Sequence, residues 1–246
     1  MQPAVALLEF DSIARGIQAG DAMIKRAPLD VIRTGTVEPG KYLVLIGGLT
    51  ADVEEAMEAG RESAGASLVD VVYLPDVHPE VVATLGGARR QDEGEALGVI
   101  ETRTVASVID AADAGVKGAR VTIRELRVAD DLGGKGYVLF GGEVAQVEAA
   151  VGYGLDRIVG SGQEVAHSVI AQLHHGMREN LAADGRFGRR ISGSEKPQAN
   201  GAGRGPRIMV PPTGGRPLPG SGGNGRHPSP PPPATATKGR RSRKKG

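Results

Sequence analysis

An internal repeat limits the possible folds of this chain more than any other feature of its sequence. Residues 8–27 align with residues 100–119, and residues 43–56 align with residues 137–150. The first pair of blocks is offset by 92 positions and the second by 94, so the length changes only in the loop between them. Two separate blocks in the same order indicate a tandem duplication of a unit of about 90 residues.

Each copy of the unit is predicted to fold as strand, helix, strand, strand, helix, strand. Ser12 and Thr104 occupy N-cap positions before apolar residues at helical spacing. The double glycines Gly47-Gly48 and Gly141-Gly142 are each predicted to open the second helix of a copy. The predicted strands cover residues 5–10, 29–37, 42–46 and 68–74 in the first copy and 97–101, 121–128 and 137–140 in the second, and short helices are expected at 79–85 and 175–181. This order predicts an α+β fold, a ferredoxin-like antiparallel sheet covered by helices, formed twice.

Charge and composition divide the chain into an acidic body and a basic tail. The chain has 246 residues with a formal net charge of +1. Residues 183–246 carry 14 Lys and Arg against two acids and hold 11 of the 16 prolines, whereas residues 1–182 carry 16 basic and 27 acidic residues. We therefore predict a first domain at 1–92, a second at 93–183, and a disordered basic Pro/Gly-rich tail at 184–246.

The chain contains no cysteine, which excludes disulfides, Cys-ligated zinc, iron–sulfur clusters held by Cys, and a Cys nucleophile. No apolar run reaches the roughly 18 residues of a membrane span, and the N-terminus lacks a secretory signal pattern. These features predict a soluble, cytoplasmic protein.

The repeated motifs resemble a known family. LLEFDSIARGIQAGDAMIKRA, TVEPGKYLVLIGG, AGRESAG and LPDVHPEV in the first copy, with IETRTVASVIDAADAGVKGA and LGGKGYVLFGGEVAQVEAA in the second, resemble the trimer-forming, tandem-domain shell proteins of bacterial microcompartments. The likeness covers most of residues 4–180 and is greatest to the T-type shell proteins of propanediol-utilising compartments. The tail has no counterpart in this resemblance.

The resemblance implies two tandem BMC domains per chain and a homotrimer that forms a pseudo-hexameric, non-enzymatic tile. Such a tile would contact other shell proteins at its edges and pass small molecules through a central pore. The implied pore-lining residues come from the turn between two strands in each domain: Thr36, Val37, Glu38, Pro39 and Gly40 in the first, and Asp130, Asp131, Leu132, Gly133 and Gly134 in the second.

Glu38 stands where the propanediol-type relative carries a cysteine that helps to hold an iron–sulfur cluster, so this sequence excludes that cluster and predicts no cofactor. Three Glu38 carboxylates around one axis would favour cations or neutral molecules over anions. Judged by the residues alone, an ordinary exposed turn acid is the preferred interpretation of Glu38, because Pro39 and Gly40 explain the turn fully. A solvated glycine-rich turn likewise remains an alternative for Asp130 and Asp131.

Lys25 and Lys117 follow the D-x-x-x-K pattern that, in the resembled family, packs across the boundary between neighbouring tiles. A solvated helix face is the alternative interpretation. An arginine typical of the family near the end of the last strand is missing, and Asp76 and Gln172 stand at the corresponding positions.

Two other functions remain open at this stage. A small-molecule-binding regulator of ferredoxin-like fold would place a ligand cleft between the domains. A nucleic-acid-associated protein would act through phosphate contacts of the basic tail, which could also bind enclosed enzymes or other acidic surfaces. An enzyme is the least favoured class because no catalytic set is recognisable, and the histidines lack metal-ligand spacing: His78, His167, His174 and His175.

Overall fold

Two copies of the same element order follow each other along the chain in a computed structural model, which describes residues 3–90 and 94–183. The first repeat consists of β1 (Ala4–Phe10), α1 (Ile13–Arg26), β2 (Val31–Val37), β3 (Lys41–Gly48), α2 (Thr50–Ala64), β4 (Leu68–Leu74) and α3 (Pro79–Leu85). The second repeat consists of β5 (Ala96–Thr102), α4 (Val105–Gly118), β6 (Thr122–Val128), β7 (Gly136–Gly142), α5 (Val144–Ile158), β8 (Glu164–Ile170) and α6 (His175–Ala182). Both repeats lie within one compact unit.

Each repeat forms a four-stranded antiparallel sheet with the same topology. The strand order is β2-β3-β1-β4 in the first sheet and β6-β7-β5-β8 in the second. The registers also agree, since Ala4 pairs with Gly48 and Ala96 pairs with Gly142. The predicted α+β fold of two ferredoxin-like units is therefore confirmed.

Local signals in the sequence correctly predicted the helix starts. Ser12 Oγ accepts a hydrogen bond from the backbone N–H of Arg15, and Thr104 Oγ1 accepts one from Ser107, both at 3.4 Å. These caps satisfy backbone donors that have no partner within a helix. The short helices predicted at 79–85 and 175–181 are also present, as α3 and α6.

The double glycines do not open helices, which corrects the prediction from sequence. Gly47-Gly48 and Gly141-Gly142 are the last residues of β3 and β7. Both strands extend this far because β1 and β5 supply pairing partners up to their first residues. The second strand of the first repeat begins at Val31, two residues later than predicted.

Helices cover one face of each sheet and close a hydrophobic core. In the first repeat, α1 and α2 bury Leu8, Phe10 and Met23 together with residues of β3. In the second repeat, α4 approaches β7 so closely that a Cβ at Gly115 would lie 2.5 Å from Cζ of Phe140. Glycine at this position therefore sets the distance between helix and sheet.

The two repeats also share a core. One cluster of buried residues joins Leu7, Val72 and Leu74 of the first sheet to Val105 and Ile109 of α4. Helix α4 is therefore covered on one side by its own sheet and on the other by the first repeat.

The predicted disorder of residues 184–246 lies outside the described residues. Within residues 3–90 and 94–183, no helix has the length and apolar character needed to cross a membrane.

Candidate functional site

The turn between β2 and β3 carries the first group of predicted pore residues. Thr36 and Val37 end β2, and Glu38, Pro39 and Gly40 form an exposed turn. The turn is closed by a hydrogen bond of 3.0 Å from the N–H of Gly40 to the carbonyl oxygen of Val37. The Glu38 carboxylate therefore stands on the surface at the tip of a tight hairpin.

The turn between β6 and β7 carries the second group and is longer. It is closed by a hydrogen bond of 2.9 Å from the N–H of Ala129 to the carbonyl of Lys135. Asp131 adopts a left-handed backbone with φ of 62°, a conformation that Asp tolerates better than most residues. Asp130 and Asp131 are exposed, and Arg127 on β6 lies 3.8 Å from the Asp131 carboxylate.

The structure brings these two predicted turns together. A Cβ at Gly134 would lie 2.8 Å from the carbonyl oxygen of Glu38 and 3.0 Å from Cδ of Pro39. Gly134 is buried and has a φ of 80°, so a side chain here would be strained as well as crowded. The hairpin of the first repeat thus rests directly on the turn of the second.

A lysine–glutamate pair lies at the base of each turn. In the first repeat, Lys41 Nζ lies 2.5 Å from Glu9 Oε1, and Glu9 has no exposed surface. In the second repeat, Lys135 Nζ lies 2.8 Å from Glu101 Oε1, and both side chains are partly exposed. The same pair is therefore buried in one repeat and open in the other.

Glu9 also connects the two repeats. Its second oxygen, Oε2, accepts a hydrogen bond of 2.8 Å from the backbone N–H of Val105, the first residue of α4. A carboxylate at this end of a helix is stabilised by the unpaired backbone donors there. One buried side chain thus joins the base of the first turn to the start of α4.

The prediction from sequence missed these lysine–glutamate pairs, although a signal for them exists. Glu9 and Glu101 match in the first aligned block. Extending the second block two residues towards the N-terminus matches Lys41 with Lys135 at the same offset of 94. Charged residues kept in both copies at the edges of apolar strands would have indicated an ion pair.

Lys25 and Lys117, the predicted tile-edge lysines, lie at the ends of α1 and α4 in different surroundings. Lys25 Nζ lies 2.5 Å from Asp21, and both side chains are mostly exposed. Lys117 Nζ lies 2.6 Å from the buried carboxylate of Asp113 and also donates to the backbone carbonyl of Asp76 in the first repeat. Lys117 therefore contacts the junction between the repeats, and Lys25 faces solvent in the single chain.

Two histidines have a structural role at the starts of short helices. His78 Nδ1 accepts a hydrogen bond of 3.3 Å from the N–H of Glu80, and His174 Nδ1 accepts one of 3.2 Å from Gly176. Both therefore cap the helices that follow β4 and β8. Among the residues that the structure describes, no group of three or more His, Asp or Glu is arranged to hold a metal ion.

Two ionisable side chains of the second repeat have clearly shifted pKa values, Asp110 on α4 and Tyr137 on β7. Burial raises the pKa of Asp110, and the Arg157 guanidinium, with Nε 2.8 Å from Oδ1, opposes that shift in part. Burial and the nearby Glu125 raise the pKa of Tyr137. Glu38, Asp130 and Asp131 are exposed carboxylates at the tips of the two turns, an arrangement that suits an electrostatic role.

Comparison with known families identifies both repeats as the same kind of domain. The BMC domain family matches residues 4–77 and again residues 96–173. The bacterial microcompartment shell protein PduT of Citrobacter freundii is 38% identical, over 72% of this chain and 96% of its own length. The carboxysome shell protein CcmK2 of Synechococcus elongatus is 40% identical over 88 residues, which is 35% of this chain and 80% of that protein.

A solved structure agrees with these matches. The crystal structure of a microcompartment protein from Desulfitobacterium hafniense has 39% sequence identity and a TM-score of 0.64, and the match covers 73% of this chain and 99% of that one. The chain belongs to the BMC-domain family of bacterial microcompartment shell proteins, with two BMC domains in tandem.

Proposed function

We propose that three copies of this chain close into a ring that acts as one tile of a microcompartment shell. The tile has a structural and not a catalytic role, and it contacts other shell proteins along its edges, where Lys25 and Lys117 are placed by the family resemblance. The paired turns of each copy meet around the central axis and line a pore for small molecules.

One observation carries this proposal: equivalent apolar residues are exposed in the first repeat and buried in the second. On α1, Ile13, Ile17 and Ile24 are 41%, 54% and 55% exposed. The matching residues on α4 are buried: Val105 and Ile109 have no exposed surface, and Val116 is 8% exposed. The first repeat covers α4, and in the single chain no second repeat covers α1.

A second copy supplies the missing cover. The surface of the first repeat that covers α4 includes the start of α3, where the N–H of His78 donates to Asp113 Oδ1 at 2.8 Å. His174 occupies the matching place before α6, and Asp21 the matching place on α1. If the contact within the chain repeats between chains, six similar units surround one axis and the ring closes at three copies.

The pore of such a ring is predicted to be negatively charged. Each chain contributes the exposed carboxylates of Glu38, Asp130 and Asp131, and Arg127 is the nearby cation of the second turn. The lysines at the turn bases are paired with Glu9 and Glu101, so they do not offset this charge. A ring of carboxylates favours cations and neutral polar molecules over anions.

Native mass spectrometry and negative-stain imaging of the purified chain test the ring. We expect a mass of three chains and discs with threefold symmetry that associate edge to edge. A monomer at micromolar concentration, or particles without threefold symmetry, would contradict the proposal.

Ion-selectivity measurements on the assembled protein in a planar bilayer or across a tile array test the pore. We expect Glu38→Gln to lower the preference for cations over anions, because three charges leave the axis. Glu62→Gln, which removes an exposed carboxylate on α2 far along the chain from either turn, is the matched control and should leave the preference unchanged. An unchanged preference in Glu38→Gln would show that Glu38 does not line the pore.

A further inference from the structure

An apolar groove runs along the first repeat between its sheet and α3. Val31, Leu45, Val82 and Leu85 supply apolar side chains, and the cavity has a volume of about 300 Å³. Arg33, on β2, also lines it. Strand β2 is the edge strand of this sheet, so its outer side has no strand partner within the described residues.

The second repeat has the same groove between its sheet and α6. Leu45 and Leu139 occupy matching positions, at the offset of 94. Their partners on the edge strands, Arg33 and Glu125, therefore also match. Leu85 of α3 corresponds to Leu181 of α6, each 11 residues after the end of the preceding strand. Leu139, Leu181 and Glu125 all line the groove of the second repeat.

The two grooves differ in what occupies them. In the second repeat, the segment that follows α3 enters the groove and lies along the edge strand β6. The N–H of Arg90 donates to the carbonyl of Arg124 at 3.1 Å. Arg89 Nη2 donates to Glu125 Oε2 and to the carbonyl of Leu181, both at 2.9 Å. The chain that leaves the preceding repeat therefore lies in part of this groove, and Arg89 and Arg90 line the space that remains.

The repeat structure identifies the chain segment that would fill the groove of the first repeat. Arg89 and Arg90 follow the end of β4 by 15 and 16 residues, and Gly185 and Arg186 follow the end of β8 by the same distances. In a closed ring, the repeat that precedes the first repeat is the second repeat of another copy. The matching segment thus belongs to a neighbouring copy and begins where the described part of the chain ends, after Ala183.

We propose that residues 184–190 of one copy lie in the groove between β2 and α3 of the neighbouring copy, with Phe187 as the apolar anchor. This proposal rests on the ring described above. Phe187 is the only Phe, Tyr or Trp after position 183, and burying its ring against Val31, Leu45 and Leu85 removes apolar surface from water.

The residues that differ between the two grooves are compatible with residues 184–190 in the groove of the first repeat. Arg33 stands where the second repeat has Glu125, the acceptor of the Arg89 guanidinium. The incoming segment has Gly185 in place of Arg89, so the guanidinium that meets Glu125 in the second repeat has no counterpart at Arg33, and Asp184 precedes Gly185. An acceptor and its arginine have therefore both been replaced, which avoids contact between two like charges.

The contact would also fix where the basic tail leaves the tile. Beyond residue 190 the chain would start from the outer edge of β2 in the neighbouring copy. All three tails would then emerge on the same face of the ring, because each copy is related to the next by the same rotation.

Cysteine cross-linking tests this contact directly, since the natural chain has no cysteine. The full-length variant Val31→Cys with Gly188→Cys, which keeps Phe187 as the anchor, is oxidised and separated on a denaturing gel without reductant. We expect most chains to migrate as covalent dimers and trimers, because the two thiols come from different copies. Val159→Cys with Gly188→Cys is the matched control, with an exposed valine outside the groove, and should stay mainly monomeric.

Native mass spectrometry of the same samples separates this proposal from the ring proposal. A trimer without cross-links, cross-links within one chain, or equal cross-linking of the control would overturn the placement of residues 184–190 and leave the ring intact. Absence of the trimer would overturn both.

Hydrogen exchange provides a readout that does not depend on thiol geometry. In the full-length chain, Phe187→Asp should raise the exchange rate of β2 amides about tenfold or more while the trimer persists, because a charged side chain does not enter the apolar groove. Unchanged β2 exchange in a trimeric Phe187→Asp variant would also overturn the proposal.

Discussion

Helices α1 and α4 come from the same repeated sequence, yet one is half open to solvent and the other is almost fully buried. Their apolar positions match one by one, and both have a hydroxyl N-cap and the D-x-x-x-K pattern near the C-terminal end. The difference arises from position in the chain, because α4 has the first repeat beside it. A duplicated chain therefore contains one formed interface, between the first repeat and α4. It also exposes the two surfaces that would form a second such interface, α1 and the matching surface of the second repeat.

The polar contacts show what the formed interface adds to apolar burial. Asp70 Oδ2 accepts hydrogen bonds from Thr104 Oγ1 at 2.5 Å and from Ser107 Oγ at 2.7 Å. Glu9 accepts one from the N–H of Val105, and Asp113 accepts one from His78. These bonds fix the orientation of α4 on the first sheet, whereas burial of its apolar stripe supplies most of the stabilisation.

The largest expected effects come from placing a charge on the apolar stripe of α1 (Ile13, Ile17 and Ile24) or on that of α4 (Val105, Ile109 and Val116). The two variants are made separately. Ile109→Asp buries a carboxylate without a partner, so we expect the free energy of unfolding to fall by more than about 4 kcal/mol and the chain not to fold. Ile17→Asp should leave the chain folded but monomeric, with trimer formation weakened more than about 100-fold. Circular dichroism and sedimentation velocity measure the two outcomes.

Val159→Asp is the control for this pair, because Val159 is exposed and lies outside both stripes. It should change neither folding nor assembly. A trimeric Ile17→Asp variant would show that the exposed stripe of α1 is not an interface.

Features that depend on neighbouring residues could be predicted from the sequence. The strands, the helices and the caps at Ser12 and Thr104 follow from local spacing, and comparison of the two copies reinforced each assignment. The extension of β3 through Gly47-Gly48 was missed because strand length is set by the partner strand and not by the glycines themselves.

Contacts between distant residues were not visible in any local pattern. Glu9 and Lys41 are 32 positions apart, and Glu9 and Val105 are 96 apart. Nothing in the apolar spacing of α1 and α4 shows that one is covered and the other is not, because coverage depends on which repeat lies next to each helix. The turns that carry Glu38 and Asp130 could be placed on hairpins from sequence, but their contact at Gly134 could not.

An intermediate effect is expected when the two equivalent glutamates are neutralised. Glu9→Gln removes the charged partner of Lys41, which is mostly buried, and it points amide hydrogens at the donors that Glu9 normally accepts from, Lys41 Nζ and the N–H of Val105. We therefore expect the free energy of unfolding to fall by about 3 kcal/mol. Glu101→Gln should cost less than about 1 kcal/mol in the monomeric Ile17→Asp background, because the Glu101–Lys135 pair is partly exposed there. Urea denaturation followed by circular dichroism measures both values.

The same Glu101→Gln change has a second expected result in the otherwise natural chain. Ile13 matches Val105, and Glu101 matches Glu9. If Ile13 of a neighbouring copy contacts Glu101 as Val105 contacts Glu9, Glu101 becomes buried on assembly and its replacement weakens the trimer. Equal losses for Glu9→Gln and Glu101→Gln in the monomeric background would contradict the comparison of the two repeats.

Effects smaller than that of Glu9→Gln are expected where the two interfaces differ in sequence. Asp70 pairs with Glu9 in the first sheet, and Ala166 pairs with Glu101 at the matching place in the second. Asp70→Ala should therefore cost about 1–2 kcal/mol of folding free energy, since two hydroxyl donors lose their acceptor.

The reverse change, Ala166→Asp, should strengthen assembly. Ser12 and Arg15 on α1 match Thr104 and Ser107 on α4, so a carboxylate at position 166 would meet a hydroxyl and a guanidinium of the neighbouring copy. We expect the trimer to tighten about fivefold, which corresponds to about 1 kcal/mol. Sedimentation equilibrium measures the change, and Ala166→Asn, which lacks the charge, should give a smaller one. A weaker trimer with Asp at this position would mean that the contact between copies does not follow the contact within the chain, and the ring would then need a different geometry at this edge.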